Sequence, residues 1–390
     1  MPPARLLDVS RLASRAGQVA TGVELAYLRA LTADGATPVF GLCRTALGFV
    51  LLDRFGLLAL GQAFSTRDFP KPDILSRLNR RLSGPARLGQ SFVRRQAVAR
   101  STRGRLKRLL RRMPAGFTYL NVGHSNLTAP ICRAVKAQPD ARIAVLIHDT
   151  IPLDWPDMQR PGTVAQFKAR LAVARKFADR IICTSDACAS DVRRTMAGTV
   201  PPIVVAHLGV DMPRPAEEEV LIGLMPLRPY FVMLGTIEPR KNHALLLDIW
   251  ENWGPGAPEL LICGGRGWGN ADVFARLDAG VPHVKEVANL TDRAIAALLS
   301  GSKGLLFPSF AEGFGLPPLE AAALGVPVIC ADLAACRELL GDWAVYVNAQ
   351  DRYSWTKEIT RLMQTTPQDR EGSLVPPDWS AHFRTALAGF

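Results

Sequence analysis

Cysteine occurs in this chain, but never in an arrangement that would give it a structural task. The seven cysteines (Cys43, Cys132, Cys183, Cys188, Cys263, Cys330 and Cys336) are scattered, and no two form a CxxC pair. An odd, dispersed set argues against a disulfide framework or a thiolate metal site. Most lie in apolar runs and read as buried thiols of a reducing compartment. Long apolar runs are also missing. The most apolar stretch, Ala46 to Leu60, is broken by Asp53 and Arg54 and falls short of the about 20 residues that a bilayer span needs. No charged, apolar, cleavable leader is visible, so no signal peptide is expected. Finally, acidic residues are missing from one whole segment: Arg77 to Arg112 holds thirteen Lys or Arg and no Asp or Glu.

That segment carries much of the net charge of +12. Leu78, Leu82, Leu88, Phe92, Val93, Leu106, Leu109 and Leu110 are interleaved with its cations. Such a mixture suits basic amphipathic helices on an anionic membrane, where each basic residue near the surface contributes about 1 kcal/mol. A nucleic-acid patch is the competing reading. It is weaker, because Phe92 is the one aromatic in the run and no recognition motif accompanies it. A solvated helix face is the third reading. The remaining composition is that of a globular protein, 48% hydrophobic over 390 residues, and two domains of about 200 residues are the natural expectation.

The most informative stretch is Ser309 to Glu320, SFAEGFGLPPLE. It follows a short apolar run, Gly304 to Phe307, that reads as a buried strand. It leads into the alanine-rich Ala321 to Leu324, which reads as helix, with Pro317 or Pro318 suited to the first turn. Gly313 and Gly315 permit a tight turn and leave the backbone open to a ligand. A glycine-fed helix N-terminus attracts anions, and two carboxylates, Glu312 and Glu320, flank it as acceptors for sugar hydroxyls. On physics alone, an ordinary strand–turn–helix with a capping Glu reads equally well.

The same alternation of strand and helix runs through both halves and argues for two parallel, doubly wound sheets. In the first half, Arg5 to Val9 reads as a strand, followed by a loop and a helix from Val23, with Thr21 or Gly22 near its cap. Tyr119 to Val122 and Arg142 to Ile147 are strands that stop at Gly123-His124 and at His148-Asp149. Ligands of open α/β sheets bind beyond the carboxyl ends of strands. A His there can change charge near neutral pH or donate to a sugar or phosphate oxygen; a loop-capping His is the plainer reading. Asp149 suits a base, an orienter of a hydroxyl, or a turn cap. Pro213, Pro215 and three consecutive Glu make a polar linker. This divides the chain into a first domain over 1–212, a linker over 213–228, a second domain over 229–372 and a terminal helix over 373–390. In the second half, the strand Tyr230 to Leu234 ends at Gly235, and Arg240 and Lys241 follow. Two adjacent cations beside a glycine suit a diphosphate, Arg as a fork and Lys as a point charge.

These motifs resemble those of family 4 retaining glycosyltransferases, which have the GT-B fold of two Rossmann-like domains facing a central cleft. Glu312 and Glu320, set in PSFAEGFGLPPLEAAALGVPVI, are similar to that family's E-x7-E motif, and GTIEPRKN is similar to its pyrophosphate clamp. The resemblance implies that Glu312 lies by the donor sugar and Glu320 binds the nucleotide ribose. It places Arg240 and Lys241 on the diphosphate, with His124 near the sugar and His148-Asp149 on the acceptor side. It also implies donor contacts from Gly22 in TGVE, Gly235, Gly313, Phe314, Gly315, Leu316 and Asn289, although the family often has Gly where this chain has Glu286. The terminal helix is expected to cross back onto the first domain.

The activity implied is transfer of a hexose from GDP-mannose or a UDP-sugar to a lipid-linked or polysaccharide acceptor, in O-antigen, capsule or exopolysaccharide synthesis. The nucleotide-sugar is a substrate, and no cofactor is expected. No DxD motif is present, so no metal is implied. The expected partners are the donor, a glycan or polyprenyl-linked acceptor and an anionic membrane surface at Arg77–Arg112, with no nucleic acid. The expected location is cytoplasmic, at the inner membrane face. A sugar-nucleotide epimerase of the same fold and a basic nucleic-acid-binding protein are the alternatives; the E-x7-E spacing and the Arg-Lys pair speak against the first.

Overall fold

The computed structural model describes residues 3–18, 22–221, 223–365 and 372–390. Thr21, one of the two expected cap residues, lies outside them, as do position 222 of the linker and 366–371 of the second domain. The chain builds two sheets. The first contains β1 (Arg5–Asp8), β2 (Val39–Thr45), β3 (Gly48–Leu52), β4 (Ala99–Ser101), β5 (Thr118–Asn121), β6 (Arg142–Ile147), β7 (Arg180–Cys183) and β8 (Ile203–Val205). Their spatial order is β4-β3-β2-β1-β5-β6-β7-β8. The second contains β9 (Tyr230–Leu234), β10 (Glu259–Cys263), β11 (Val284–Val287), β12 (Gly304–Phe307), β13 (Val328–Ala331) and β14 (Ala344–Val347), in the order β11-β10-β9-β12-β13-β14.

Continuous apolar strands such as Ile143–Ile147 and Tyr230–Met233 are buried because helices cover both faces of each sheet, as parallel strands require. Each sheet is accordingly flanked by two hydrophobic clusters. The second sheet is parallel throughout. The first is not: β2–β3 and β3–β4 pair antiparallel. Ala46 and Leu47 alone separate β2 from β3, and a parallel crossover needs a dozen or more residues.

Strand order reverses between β1 and β5 in the first sheet and between β9 and β12 in the second. Crevices for ligands open at such switch points, beyond the carboxyl ends of the strands. His124, Gly235 and Ser309 all follow strands adjoining these points.

The basic run departs from the expectation of amphipathic helices laid on a membrane. Phe92 and Val93, on the helix Gly84–Arg95, and Leu106, Leu109 and Leu110, on the helix Leu106–Leu110, are buried in the cores that flank the first sheet. Their apolar faces find protein rather than lipid. Arg94 is also buried and is 2.6 Å from Asp73. Most of the other cations face solvent.

The two halves are in direct contact. His207 and the backbone N–H groups of Asp186 and Ala187 bond Glu338. Trp155 stacks on Phe310 with centroids 5.7 Å apart. The helix Trp379–Ala386 spans both halves. Trp379 packs against the second domain's core, whereas Ala386, Leu387 and Phe390 belong to the first domain's. His382 bonds Tyr27 Oη at 2.9 Å, and its Nδ1 faces the Ala206 and His207 carbonyls.

Candidate functional site

The site starts at the tight turn after β9. Gly235 has φ 143, and a Cβ there would stand 3.2 Å from Lys241 Cε. Gly264 packs so closely that its Cβ would overlap the Gly235 carbonyl. The chain then makes a single turn, Pro239–Lys241, and Asn242 takes a left-handed φ of 58 to begin the helix His243–Glu251. The Asn242 amide donates to the Pro308 and Ala349 carbonyls, and this ties the cationic turn to the loop after β12.

On that loop Glu312 pairs with both cations and accepts a hydrogen bond from Lys241. Its Oε1 is 2.7 Å from Arg240 Nη1 and 2.6 Å from Lys241 Nζ. Arg240 also donates through Nε and Nη2 to Glu238, and through Nη1 to the Ala311 carbonyl. Burial works against the Arg240 charge, but Glu312 and Glu238 outweigh it and hold the guanidinium above its ordinary range. The Lys241 ammonium lies 4.6 Å from the centre of the Phe307 ring. Arg240 and Lys241 are therefore in place beside Glu312, with their charges facing its carboxylate.

The same loop docks on the first domain. A Cβ on Gly313 would come within 2.3 Å of the His148 carbonyl oxygen and 2.8 Å of Asp149 Cβ, so only glycine fits. The Ser185 and Thr184 hydroxyls donate to the Gly313 carbonyl at 3.0 and 3.3 Å. Phe314 is buried. Gly315, with φ 89, caps the helix Leu316–Ala323, and Leu316 is its first residue. The domain contact thus brings His148 and Asp149 up to Glu312 and Arg240. Burial pushes the Asp149 carboxyl up to about 6, against the pull of Arg240.

On the first domain's side of the contact lies a cavity of about 370 Å³, lined among others by Arg11, Gly22, Glu24, His124, His148 and Asp149. Gly22, with φ 116, caps the helix Val23–Ala33. The two imidazoles are 5.7 Å apart. Burial, reinforced by His148, pushes His124 down to about 3; burial pushes His148 down to about 4. Both are neutral near pH 7, because a charge there would lose its water. Their donors are also committed, since Nε2 of His124 faces the Leu146 carbonyl at 2.6 Å and Nε2 of His148 faces that of Val122 at 3.0 Å. A carbonyl can only accept, so Nε2 carries the proton and Nδ1 is the lone pair of each ring. This corrects the expectation of a charge-changing or donating His: the pair accepts hydrogen bonds.

Glu320 stands apart. Its carboxylate makes no hydrogen bond or ion pair among the described residues. Burial, with a smaller push from Asp292, raises it to about 7. Asn289, at φ 60, is exposed on the loop after β11 and does not line the cavity that holds His124. Glu286, nearby in that region, is 2.7 Å from Arg266.

Three residues escaped the sequence reading. Glu24 lies inside TGVE but was valued only for its glycine. Its Oε1 is buried without a partner, and it packs so closely on Gly123 that a Cβ there would meet that oxygen at 1.9 Å and displace the Glu24 carboxylate. Burial raises its carboxyl, against Arg11 and Arg15. Glu238, adjacent to the cations in sequence, is the buried base of the Arg240 fork. Arg11, in the first loop, is 3.8 Å from Glu24.

Residues 228–365 match the family model described as Glycosyl transferases group 1. This segment is a group 1 glycosyltransferase domain. The chain is 31% identical over 253 residues to the serotype-specific mannosyltransferase WbdA of Escherichia coli, covering 58% of this chain and 31% of that protein. It is 28% identical over 211 residues to O-antigen chain mannosyltransferase B of Escherichia coli, covering 52% and 51%. The chain thus spans about a third to a half of the length of these relatives. Among solved structures, sucrose-phosphate synthase from Thermosynechococcus elongatus superposes with a TM-score of 0.60 at 17% identity, over 99% of this chain and 92% of that one. Anabaena HepE in complex with UDP gives 0.58 at 15%, over 94% and 91%. The group 1 domain sits in a chain with the GT-B architecture.

Proposed function

We propose that this chain is a retaining glycosyltransferase that moves a hexose from a nucleotide-diphosphate sugar to a lipid-linked or polysaccharide acceptor in surface-glycan synthesis. The observation that carries the reading is the convergence of Arg240, Lys241 and Glu312 from one domain with His148 and Asp149 from the other, beside the cavity that holds His124. The relatives named as mannosyltransferases favour mannose as the hexose and GDP-mannose as the donor.

In this reading Arg240 and Lys241 hold the diphosphate and stabilise the charge that develops as it leaves. The bond between the anomeric carbon and the diphosphate oxygen breaks, with the electron pair going to the diphosphate. An acceptor hydroxyl oxygen forms the new bond on the same face. Its proton passes to a diphosphate oxygen or to Asp149, whose raised pKa suits a base near neutral pH. Glu312 orients the sugar, Nδ1 of His124 accepts from a sugar hydroxyl, and Glu320 accepts from the ribose. No divalent ion enters this account, so chelation with EDTA should leave the rate unchanged.

We also infer peripheral attachment to an anionic membrane. Among the described residues no helix is long and apolar enough to cross one. Instead Ile74, Leu75 and Leu78 are exposed on the short helix Ile74–Leu78, flanked by exposed Lys71, Arg77, Arg80 and Arg81. Apolar side chains rimmed by cations suit a headgroup layer. Failure to sediment with anionic liposomes at low salt would remove this part.

The direct test of the activity is release of GDP from GDP-mannose in the presence of a lipid-linked acceptor. Turnover lost in Glu312→Gln supports the reading. Binding of every nucleotide-sugar no tighter than of free phosphate would overturn it.

A further inference from the structure

A second cavity runs along the outside of the first domain, away from the cation turn. It encloses about 730 Å³, within the about 300–1,000 Å³ usual for small-molecule sites. Its floor is apolar: Phe49, Leu106 and Ile131 line it, each largely buried in the core beneath. Its rim is cationic, with Arg44, Arg103, Lys107 and Arg133. The fold makes this combination deliberately local. Arg44 pairs directly with Phe49 across the β2–β3 hairpin, so both side chains stand on one face. Pro130, Arg133, Ala134 and Ala137 fall at helical spacing along one side of the helix Ala129–Lys136 and its end.

An adjoining cavity of about 430 Å³ shares Arg44 and Arg103 and adds Arg81, together with polar Ser10, Ser125 and Asn126. Ser10 and Ser125 are the chain neighbours of Arg11 and His124, which line the cavity at the domain contact. The two cavities therefore form a track from an apolar trough, past a ring of cations, to residues that adjoin the proposed reaction site in the chain. Five cations border it, and no Asp or Glu does. None of the five makes an ion pair or side-chain hydrogen bond among the described residues. Like charges gathered without carboxylates repel one another, and an arrangement of this kind is relieved by an anion. An apolar floor directly beneath it specifies that the anion carries a hydrocarbon chain. A nucleic acid would use the cations but leave the floor unfilled, because Phe49 is the one aromatic lining the trough.

We propose that this track binds a single-chain lipid phosphate or diphosphate, with the phosphate between Arg44 and Arg103 and the chain along Phe49, Leu106 and Ile131. The head beyond the phosphate then points past Ser10 and Asn126 toward His124 and Asp149. The inference rests on the transferase reading and gives its acceptor a chemical class: a glycan carried on a lipid phosphate, held at its anchor.

The test is calorimetric titration of the full chain with farnesyl diphosphate, inorganic pyrophosphate and farnesol, alongside the nucleotide of the donor as a control. Farnesyl diphosphate should bind about tenfold or more tighter than either half-ligand, because both the charged contacts and the buried chain contribute. The double variant Arg44→Gln/Arg103→Gln changes exposed side chains only, and should weaken farnesyl diphosphate about tenfold while leaving nucleotide binding within about twofold. Lys107→Gln/Arg133→Gln should weaken it less, with the same nucleotide control. Equal binding of pyrophosphate and farnesyl diphosphate would make this a free-anion site and overturn the lipid assignment. Unchanged farnesyl diphosphate binding in both variants would overturn the location, as would a short oligonucleotide that binds more tightly than farnesyl diphosphate and is lost in the same variants. If the nucleotide binds and farnesyl diphosphate does not, the track fails while the transferase reading stands; if no nucleotide binds, the transferase reading itself fails.

Discussion

Glu312 and Glu320 are separated by seven residues and live under opposite conditions. Glu312 is clasped by Arg240 and Lys241 at 2.7 and 2.6 Å. Glu320 has no partner among the described residues and is raised to about 7 by burial. One carboxylate is committed within a charge cluster; the other keeps its oxygens available to hydroxyl donors. The difference separates a group that sets the shape of the site from a group that waits for hydroxyl donors. It also shows how a single loop and helix can serve two ends of one extended ligand.

The comparison would break most visibly at Arg240. Arg240→Ala leaves Glu238, 4% exposed, as a buried carboxylate with its fork partner removed, and should cost about 3–5 kcal/mol, read as a lower thermal midpoint. A loss below about 1 kcal/mol would mean that the cluster is not a structural unit. Next comes Glu312→Gln. It should lower turnover about a hundredfold or more, by the size of effects seen when charge-stabilising groups are removed. Nucleotide affinity should hold or rise, because Arg240 and Lys241 are freed for the diphosphate. Loss of nucleotide binding in this variant would put Glu312 in the waiting class with Glu320.

Glu320→Gln should show the opposite pattern, with nucleotide binding weakened about tenfold, the cost of one charge-assisted hydrogen bond. Its effect on the unliganded protein has a defined sign. The folded-state pKa of Glu320 lies above its unfolded value, so its contribution is present at low pH and lost as pH rises through about 7. Glu320→Gln should therefore be more stable than the parent at pH 8, by about 1–3 kcal/mol, and nearly equal to it at pH 4. The smallest effect is expected at Asp149. With its carboxyl raised to about 6, turnover should fall as pH drops below about 6. Asp149→Asn should flatten that limb of the profile; an unchanged profile would remove the base role.

Much of this was legible in the residues, because periodicity and glycine placement report local geometry. Apolar runs gave the parallel strands, and the glycines at 235, 313 and 315 gave the turns. What was not legible depends on partners distant in sequence. The antiparallel β3 hangs on a two-residue connection from β2, and β4 joins it only after the chain returns through residues 53–98. Leu106, Leu109 and Leu110 of the basic run read as a membrane face, yet they fill the first domain's core while Leu78 stays exposed, and sequence spacing cannot say which surface an apolar stripe meets. The direction of His124 and His148 as acceptors follows from the carbonyls of Leu146 and Val122, which no motif encodes. Glu24 was invisible as an orphan until Gly123 was seen against it.

The most direct measurement is nucleotide binding by calorimetry across pH 5.5 to 8.5 for the parent, Glu320→Gln and Glu312→Gln. Ionised Glu320 is the acceptor for the ribose, so affinity for GDP-mannose, whose doubly esterified diphosphate keeps the same charge over this range, should rise with pH through about 7 in the parent and in Glu312→Gln, and stay flat in Glu320→Gln. Affinity that is independent of pH in the parent, or equally pH-dependent in Glu320→Gln, would contradict the division of labour between the two carboxylates.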